Sequence, residues 1–328
     1  MITKTPFRVS FLGGGTDFIS FFYKYGGHCL STSINQYAYV YLRHISGLLD
    51  SRNQVVYSKI EKADRVDEIS HPIVRECLKF KNVDSVSIGY DADIPARTGL
   101  GTSSAFSVGL ISALNAYKGY DFDKFRITKE AIYVERELCK ESGGIQDQIA
   151  SAYGGLNHLV FEKSGFDVIP IKIKEQRLKN FENNLILLFT GMSRNSSDIQ
   201  KSVNRSDKFI EDKLLELNTL TLKGVSCLED PDADLDEFGY ILNEAWEIKR
   251  SMSDKISNSI IDEAYDRALK NGALGGKILG AGGGGFLLLY VQPFYKNSVL
   301  AALQEFKEIP FKFDEKGTQI LLNEREFV

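Results

Sequence analysis

Apolar and polar positions alternate at the start of the chain, and that alternation predicts strands. F7-R-V-S-F-L12 and Y37-A-Y-V-Y-L42 are rich in β-branched and aromatic residues, with the glycine run L12-G-G-G-T16 between them. V86-S-I-G-Y90 predicts a further strand. Beyond it the period changes. Phe106, Leu110, Ala113, Leu114 and Tyr117 recur at helical spacing, so a helix should open near Thr102 or Ser103. A second helix is predicted over 128–140, capped by Thr128, with Ile127, Ala131, Val134 and Leu138 on one stripe. Gly143-Gly144 then interrupts the chain before I145-Q-D-Q-I-A150.

The strand pattern returns from 156 to 174 and ends in the alternating V168-I-P-I-K-I173. The charged stretch 172–182 predicts a surface crossing between two domains, 1–178 and 179–328. The second of these should hold a strand, L185-I-L-L-F189, and helices over 195–226, 234–252 and 257–271. Asn271-Gly272 is the expected stop of the last helix. F286-L-L-L-Y-V291 predicts a buried strand, and the acidic 228–237 segment a solvated loop.

Composition narrows the partners. Of 328 residues 43% are hydrophobic and 26% charged, enough for a sizeable core. The net charge of -4, without a dominating basic block, argues against nucleic acid or an anionic membrane as main partner. Cys29, Cys77, Cys139 and Cys227 form no C-x-x-C pair, which fits unpaired thiols in a reducing compartment. The four histidines are scattered, so no zinc spacing arises. No apolar run reaches ~18 residues, so no membrane span is expected. The first residues lack a signal-peptide core, and a cytoplasmic location is expected.

The stretch D93-I-P-A-R-T-G-L-G-T-S-S-A-F106 carries the first chemical signal. It is not a Walker loop, since no lysine follows Gly101. Nor is it a dinucleotide fingerprint, since Ser104 stands in the third glycine place. Yet glycines just before a helix start let backbone N–H groups wrap an anion at the positive end of the helix dipole. Gly99, Leu100, Gly101, Thr102, Ser103 and Ser104 fit that description, and so does a plain glycine turn with a serine cap. Two carboxylates follow, Glu135 late in the second helix and Asp147 past the glycine break. Phosphoryl transfer asks for hard oxygen ligands to Mg²⁺, a carboxylate facing the acceptor hydroxyl, and a cation. Ser103 and Glu135 could serve the metal, Asp147 could be the base, and a nearby arginine the cation. With Arg136, Arg126 and Lys129 close in sequence, Glu135 also reads as an ordinary charge pair.

The motifs together are more specific than each alone. T5-P-F-R-V-S-F-L-G-G-G-T-D17, I94-P-A-R-T-G-L-G-T-S-S-A105 and K277-I-L-G-A-G-G-G-G-F286 occur in that order. In this the chain resembles the GHMP small-molecule kinases over residues 5 to 290 or so. The resemblance implies a two-domain α+β fold. Its N-terminal domain would be ribosomal-S5-domain-2-like with a left-handed β-α-β phosphate loop, and its C-terminal domain ferredoxin-like. It implies ATP and Mg²⁺ as cofactors and a site in the cleft between the domains. It places Ser103 and Glu135 at the metal, Asp147 opposite the acceptor hydroxyl, and Arg8 near the transferred phosphate. G13-G-G-T-D-F18 departs from the galactokinase segment, with Gly14 and Gly15 where that enzyme type has Glu and His. Together with E135-R, G-G-x-Q-D-Q, T190-G-M-S-R194 and W246-x-x-K-R250 it is similar to the D-glycero-D-manno-heptose 7-phosphate kinases. That likeness implies phosphorylation of the anomeric C1 hydroxyl of a heptose 7-phosphate, feeding nucleotide-activated heptose for surface polysaccharide. The implied partner is a small sugar phosphate, with a homodimer left open.

A sugar phosphate is a dianion and needs Lys or Arg contacts. Arg194, Lys249 and Arg250 are the candidates, with Ser193, Ser196 and Ser197 as hydroxyl donors. Lys249-Arg250 reads equally as a solvated helix face. Gly13, Gly14, Gly15, Thr16, Asp17, Gly144 and Gln146 are expected to approach the sugar. Gly282, Gly283 and Gly284 are expected to line the cleft, or simply to make a tight connection between two strands.

Overall fold

The computed structural model describes residues 1–47, 50–192, 199, 203 and 207–324. The first sheet contains β1 Ile2–Leu12, β2 Gly27–His44, β3 Asn53–Val56, β4 Ile60–Ala63, β5 Val86–Ala92, β6 Leu156–Glu162 and β7 Gly165–Pro170. The second holds β8 Leu185–Phe189, β9 Ala273–Ile278, β10 Phe286–Val291 and β11 Lys307–Glu308. A last strand, β12 Gln319–Leu322, returns to pair with β1, so the first sheet takes a strand from beyond residue 178. The strands predicted at 7–12, 37–42 and 86–90 lie within β1, β2 and β5.

β2 is long because it serves two partners on one edge. Gly27–Thr32 pair with β6, while Ala38–His44 pair with β5. Its other edge pairs antiparallel with β1. Only β3 and β5 run parallel among the described strands. The helix Thr102–Tyr117 packs on β1 and β2 and under the helices Pro72–Lys81, Lys124–Tyr133 and Gln146–Tyr153. The spacing predicted a single apolar stripe. Instead every residue from Ser104 to Ala116 is buried, because sheet and helices enclose it on all sides. Small residues let it approach closely, and Thr3 Oγ1 donates 3.0 Å to the carbonyl of Gly109.

The second helix begins earlier than predicted, at Lys124. Asp123 caps it, its Oδ1 accepting from the N–H of Phe125 at 2.9 Å and of Arg126 at 3.3 Å. Thr128 sits inside the helix and its hydroxyl donates to the Lys124 carbonyl. The helix ends in a π-helical turn, Val134–Leu138.

The stretch predicted as a surface crossing is a helix, Glu175–Asn183, and it anchors the core. Phe181 is fully buried, with its ring 5.4 Å from Phe11 and 4.8 Å from Phe238. Residue 178 falls inside this helix, which leads directly into β8. The second sheet has the antiparallel order β11-β8-β10-β9 and carries the helices Lys208–Glu229, Asp236–Ser251, Ser259–Lys270 and Lys296–Ala302. The early part of the predicted 195–226 helix lies largely outside the described residues. All four cysteines are free thiols. Among the described residues no helix is long and apolar enough to cross a membrane.

His28 on β2 and His158 on β6 meet with their ring nitrogens 3.0 Å apart. Burial holds both below the ordinary histidine pKa, with Glu162 opposing at His28. At His158 the charge of His28 adds to the lowering and Glu229 opposes. The unfolded chain therefore binds more protons than the folded one in mildly acidic solution. Their contribution to stability is complete above the ordinary value of 6.5 and is lost as pH falls through the depressed folded values. The urea midpoint should fall between about pH 7 and about pH 5, and a double Gln substitution at both positions should flatten that slope. An equal slope in the double variant would assign the loss to other groups.

Candidate active site

The phosphate-loop candidate ends as the sequence predicts, with Thr102 the first residue of its helix. Gly101 precedes it with no side chain capping the first turn, so the helix start keeps its N–H groups for an incoming anion. Gly99 is held at φ +87°, and a Cβ there would stand 2.4 Å from the Leu279 carbonyl oxygen. The last glycine run therefore lies backbone against backbone on the loop. A Cβ on Gly280 would reach 2.7 Å from Gly99 Cα, and one on Gly285 would reach 2.1 Å from the Thr98 oxygen. It joins β9 to β10, and Gly282 and Gly284 line the cleft. Gly283 does not line it, and its N–H donates to the Ile256 carbonyl at 2.7 Å.

This cleft has a volume of about 1290 Å³ and draws walls from both sheets. Arg8 lies in its floor, 4% exposed. Its Nε and Nη2 fork onto the two oxygens of Asp147 at 2.8 and 2.7 Å, and its Nη1 donates to the Gly99 carbonyl at 2.7 Å. Leu100 is buried beneath the loop and its carbonyl accepts the Arg8 N–H. Asp147 stands in the first turn of the helix Gln146–Tyr153, with its side chain 26% exposed. Carboxylate oxygens have about four acceptor sites between them. The fork uses two, which leaves capacity for a hydroxyl donor.

Residues of the first motif hold that helix in place. Asp17 is 2% exposed, and its Oδ1 accepts from the Gly15 N–H at 3.0 Å and its Oδ2 from the Gln146 N–H at 3.2 Å. Gly144 must be glycine, since a Cβ there would lie 1.8 Å from Asp17 Oδ2. Ser10 Oγ donates to Gln146 Oε1 at 2.7 Å. Gly14, Gly15 and Asp17 line the cleft, whereas Gly13 and Thr16 do not. Gly13 packs on the His28 carbonyl, and the Thr16 hydroxyl donates to the carbonyls of Gly13 and His28. These two residues shape the turn and do not face a ligand.

Glu135 is 1% exposed and sits on the π-helical turn, a feature frequent at functional sites. Its carboxylate accepts from Ser104 Oγ at 3.3 Å and from Ser107 Oγ. Ser103 is exposed at the cleft wall. Arg136 does not pair with its neighbour. Its Nη2 and Nε donate to the Gly144 carbonyl at 2.8 and 3.1 Å and its Nη1 to that of Glu141, bracing the glycine break. Burial, then the charge of Glu135, raises the pKa of Glu141 beside it. Among the described residues no group of three or more His, Cys, Asp or Glu could hold a metal ion.

The three expected phosphate-binding cations fare differently. Lys249 lines the cleft, and its Nζ would be 3.3 Å from a Cβ on Gly14 and is 3.2 Å from the Gly280 carbonyl. Arg250 does not line it. Its guanidinium is committed to Glu247 at 2.7 Å and Asp262 at 3.3 Å, so the expected substrate contact is corrected to an outward ion-pair cluster. Adjacent positions on a helix point about 100° apart, which separates the two side chains. Arg194, Ser193, Ser196 and Ser197 lie outside the described residues.

Sequence reasoning left other cleft residues unassigned. Tyr57, His71, Phe106 and Tyr90 form an aromatic wall beyond the phosphate loop, with ring centres 5.1, 5.3 and 4.7 Å apart in turn. Burial lowers the His71 pKa, favouring its neutral form in this wall. The pairing of His71 with Phe106 brings together residues far apart in the chain and needs the fold.

Residues 69–155 match the model of the GHMP kinases N terminal domain and residues 226–308 that of the GHMP kinases C terminal. Between them the two matches take in more than half of the chain. The chain belongs to the GHMP kinases. It is 30% identical to the D-glycero-alpha-D-manno-heptose 7-phosphate kinase of Campylobacter jejuni, over 97% of both chains. It is 26% identical to the bifunctional fucokinase/GDP-fucose pyrophosphorylase of Arabidopsis thaliana, over 94% of this chain and 32% of that one. Among solved structures it resembles a D-glycero-D-manno-heptose 1-phosphate kinase from Bacteriodes thetaiotaomicron, with TM-score 0.77, 25% identity and 97% coverage of each. The two-domain α+β fold of the family is present, and the chain is an ATP-dependent phosphotransferase acting on a small sugar.

In this GHMP kinase Arg8 joins the loop at Gly99 to Asp147 through a planar fork that lysine cannot reproduce. Arg8→Lys should lower kcat by about 10²-fold while the KM for ATP changes less. Steady-state kinetics with saturating acceptor would check this. A wild-type kcat would mean that Asp147 is positioned without the fork.

Proposed function

We propose that this kinase transfers the γ-phosphoryl group of ATP to the anomeric C1 hydroxyl of a heptose 7-phosphate, giving the 1,7-bisphosphate. The single observation that carries the reading is Asp147, pinned by Arg8 beside the helix start at Thr102 and facing a cleft that Lys249 enters. The likeness to two heptose phosphate kinases supports the choice of sugar. Their names differ on which carbon carries the phosphate, so the position is part of the proposal.

The reaction follows from the residues present. The adenine fits the wall of Tyr57, His71, Phe106 and Tyr90, and the phosphates lie on the N–H groups that open at Thr102. Asp147 accepts the proton of the sugar hydroxyl. The hydroxyl oxygen bonds to the γ-phosphorus, the bond to the β,γ-bridging oxygen breaks, and ADP leaves with that electron pair. Arg8 steadies the charge spread over the phosphoryl oxygens. Glu135 with the hydroxyl of Ser103 makes a hard oxygen donor set that fits Mg²⁺, and Ser104 and Ser107 hold the carboxylate in place. Bound there, Mg²⁺ would draw charge from the phosphate oxygens.

Asp147→Asn should lower turnover by about 10²–10⁴-fold with ATP binding retained. Near wild-type turnover would remove Asp147 as the base. Ser103→Ala and Glu135→Gln should each raise the Mg²⁺ concentration needed for half-maximal rate, and unchanged titrations in both would place the metal elsewhere. The substrate is tested by ADP release over a panel of heptose 7-phosphate, other sugar phosphates and free sugars, with NMR of the product phosphate. A preference for free fucose or galactose would favour the second reading, which the fucokinase likeness supports.

A further inference from the structure

Three basic side chains are buried among the described residues: Arg8, Lys81 and Lys277, at 4%, 7% and 5% exposed. Two have a carboxylate. Arg8 forks onto Asp147, and Lys81 Nζ lies 2.6 Å from Glu130. Lys277 has none among the described residues. Its Nζ donates to the Phe11 carbonyl at 2.8 Å, a neutral acceptor. An ammonium has three N–H donors, so two remain. A buried cation without a countercharge is costly to hold, and strongly perturbed groups of this kind cluster at functional sites.

Lys277 stands at the end of β9 in the wall of the cleft, which Lys249, Arg8, Ser10, Gly14 and Gln146 also line. Burial, then the charge of Lys249 and more weakly that of Arg8, pushes it toward the neutral amine, while the Cys29 thiol opposes this. Those are the titratable groups that face it, from the helix Asp236–Ser251, β1 and β2.

We propose that Lys277 is an anion-binding residue of the cleft, and that with Lys249 it receives a phosphoryl dianion in the space they share. This deepens the kinase reading and rests on it. The dianion can come from a phosphorylated acceptor or from the group in transfer. Either would supply the countercharge that Lys277 lacks, and Lys277 would become fully protonated as it binds.

Lys277 also ties β9 to β1, so a structural role has to be separated from an electrostatic one. Lys277→Gln keeps an N–H donor for the Phe11 carbonyl, and Lys277→Met keeps the volume. Sulfate is a dianion that does not titrate near neutral pH and serves as the probe. It is titrated calorimetrically into the protein saturated with MgADP, in two buffers of different ionisation enthalpy. Wild type should bind sulfate with proton uptake. Both variants should bind it about tenfold to a hundredfold more weakly and without that uptake, at unchanged ADP affinity. Unchanged sulfate affinity in either variant overturns the proposal, as does no sulfate binding by wild type. Turnover identifies the source. A KM raised only for phosphorylated acceptors puts the dianion on the acceptor, and a kcat lowered with free sugars as well puts it on the transferred group. The sulfate titration needs no sugar, so a wrong choice of heptose cannot be mistaken for its failure.

Discussion

The site is organised by one buried guanidinium. Arg8 lies on β1, whose register is fixed by hydrogen bonds to β2 over most of its length. From that fixed point it reaches two elements far away in the chain. Its fork sets the height and rotation of the Asp147 carboxylate, and its remaining nitrogen fixes the Gly99 carbonyl. Its own backbone N–H holds Leu100. The Gly99–Leu100 backbone and the Asp147 carboxylate are thus indexed to one strand. Their spacing is set by covalent geometry and three short hydrogen bonds, and not by the packing of mobile side chains. An in-line transfer depends on distances of this kind.

The second constraint is contact between backbones. Gly99 meets Leu279 and Gly280, and Gly285 meets Thr98, at separations that leave no room for a Cβ. The second half of the chain therefore closes on the phosphate loop without an intervening side chain. Phe181, Phe11 and Phe238 join the same two halves through the core. Apolar packing and glycine contact act together to hold the two halves.

These two constraints explain what could be read from the residues alone. The order of the three glycine runs pointed to one composite site, because each run marks a place where backbone must approach backbone or ligand. The helix start at Thr102 was readable from local chemistry and lies where the loop put it. Roles that depend on partners distant in sequence were not readable. Arg136 looked like a mate for Glu135 by proximity, yet adjacent helix positions diverge and it braces the Gly144 carbonyl instead. Arg250 could be separated from Lys249 only once Glu247 and Asp262 were seen to take its charge. Phe181 looked like part of a charged crossing because one core anchor among many charges leaves a weak periodic signal. Thr128 has a capping side chain by type, whereas Asp123 supplies the geometry of the cap.

Charge is distributed unevenly along the cleft, and that unevenness gives it a direction. At one side Glu135 and Glu141 lie close enough that Glu135 helps raise the Glu141 pKa. A bound cation would relieve that repulsion. At the other side the charge of Lys249 helps push Lys277 toward its neutral form, and a bound anion would oppose that. Arg8 and Asp147 stand in the same cleft as a neutral pair, already balanced. A cation suits the first side and an anion the second. Charges on the cleft wall can therefore orient what binds there, while Arg8 and Asp147 are already matched to each other.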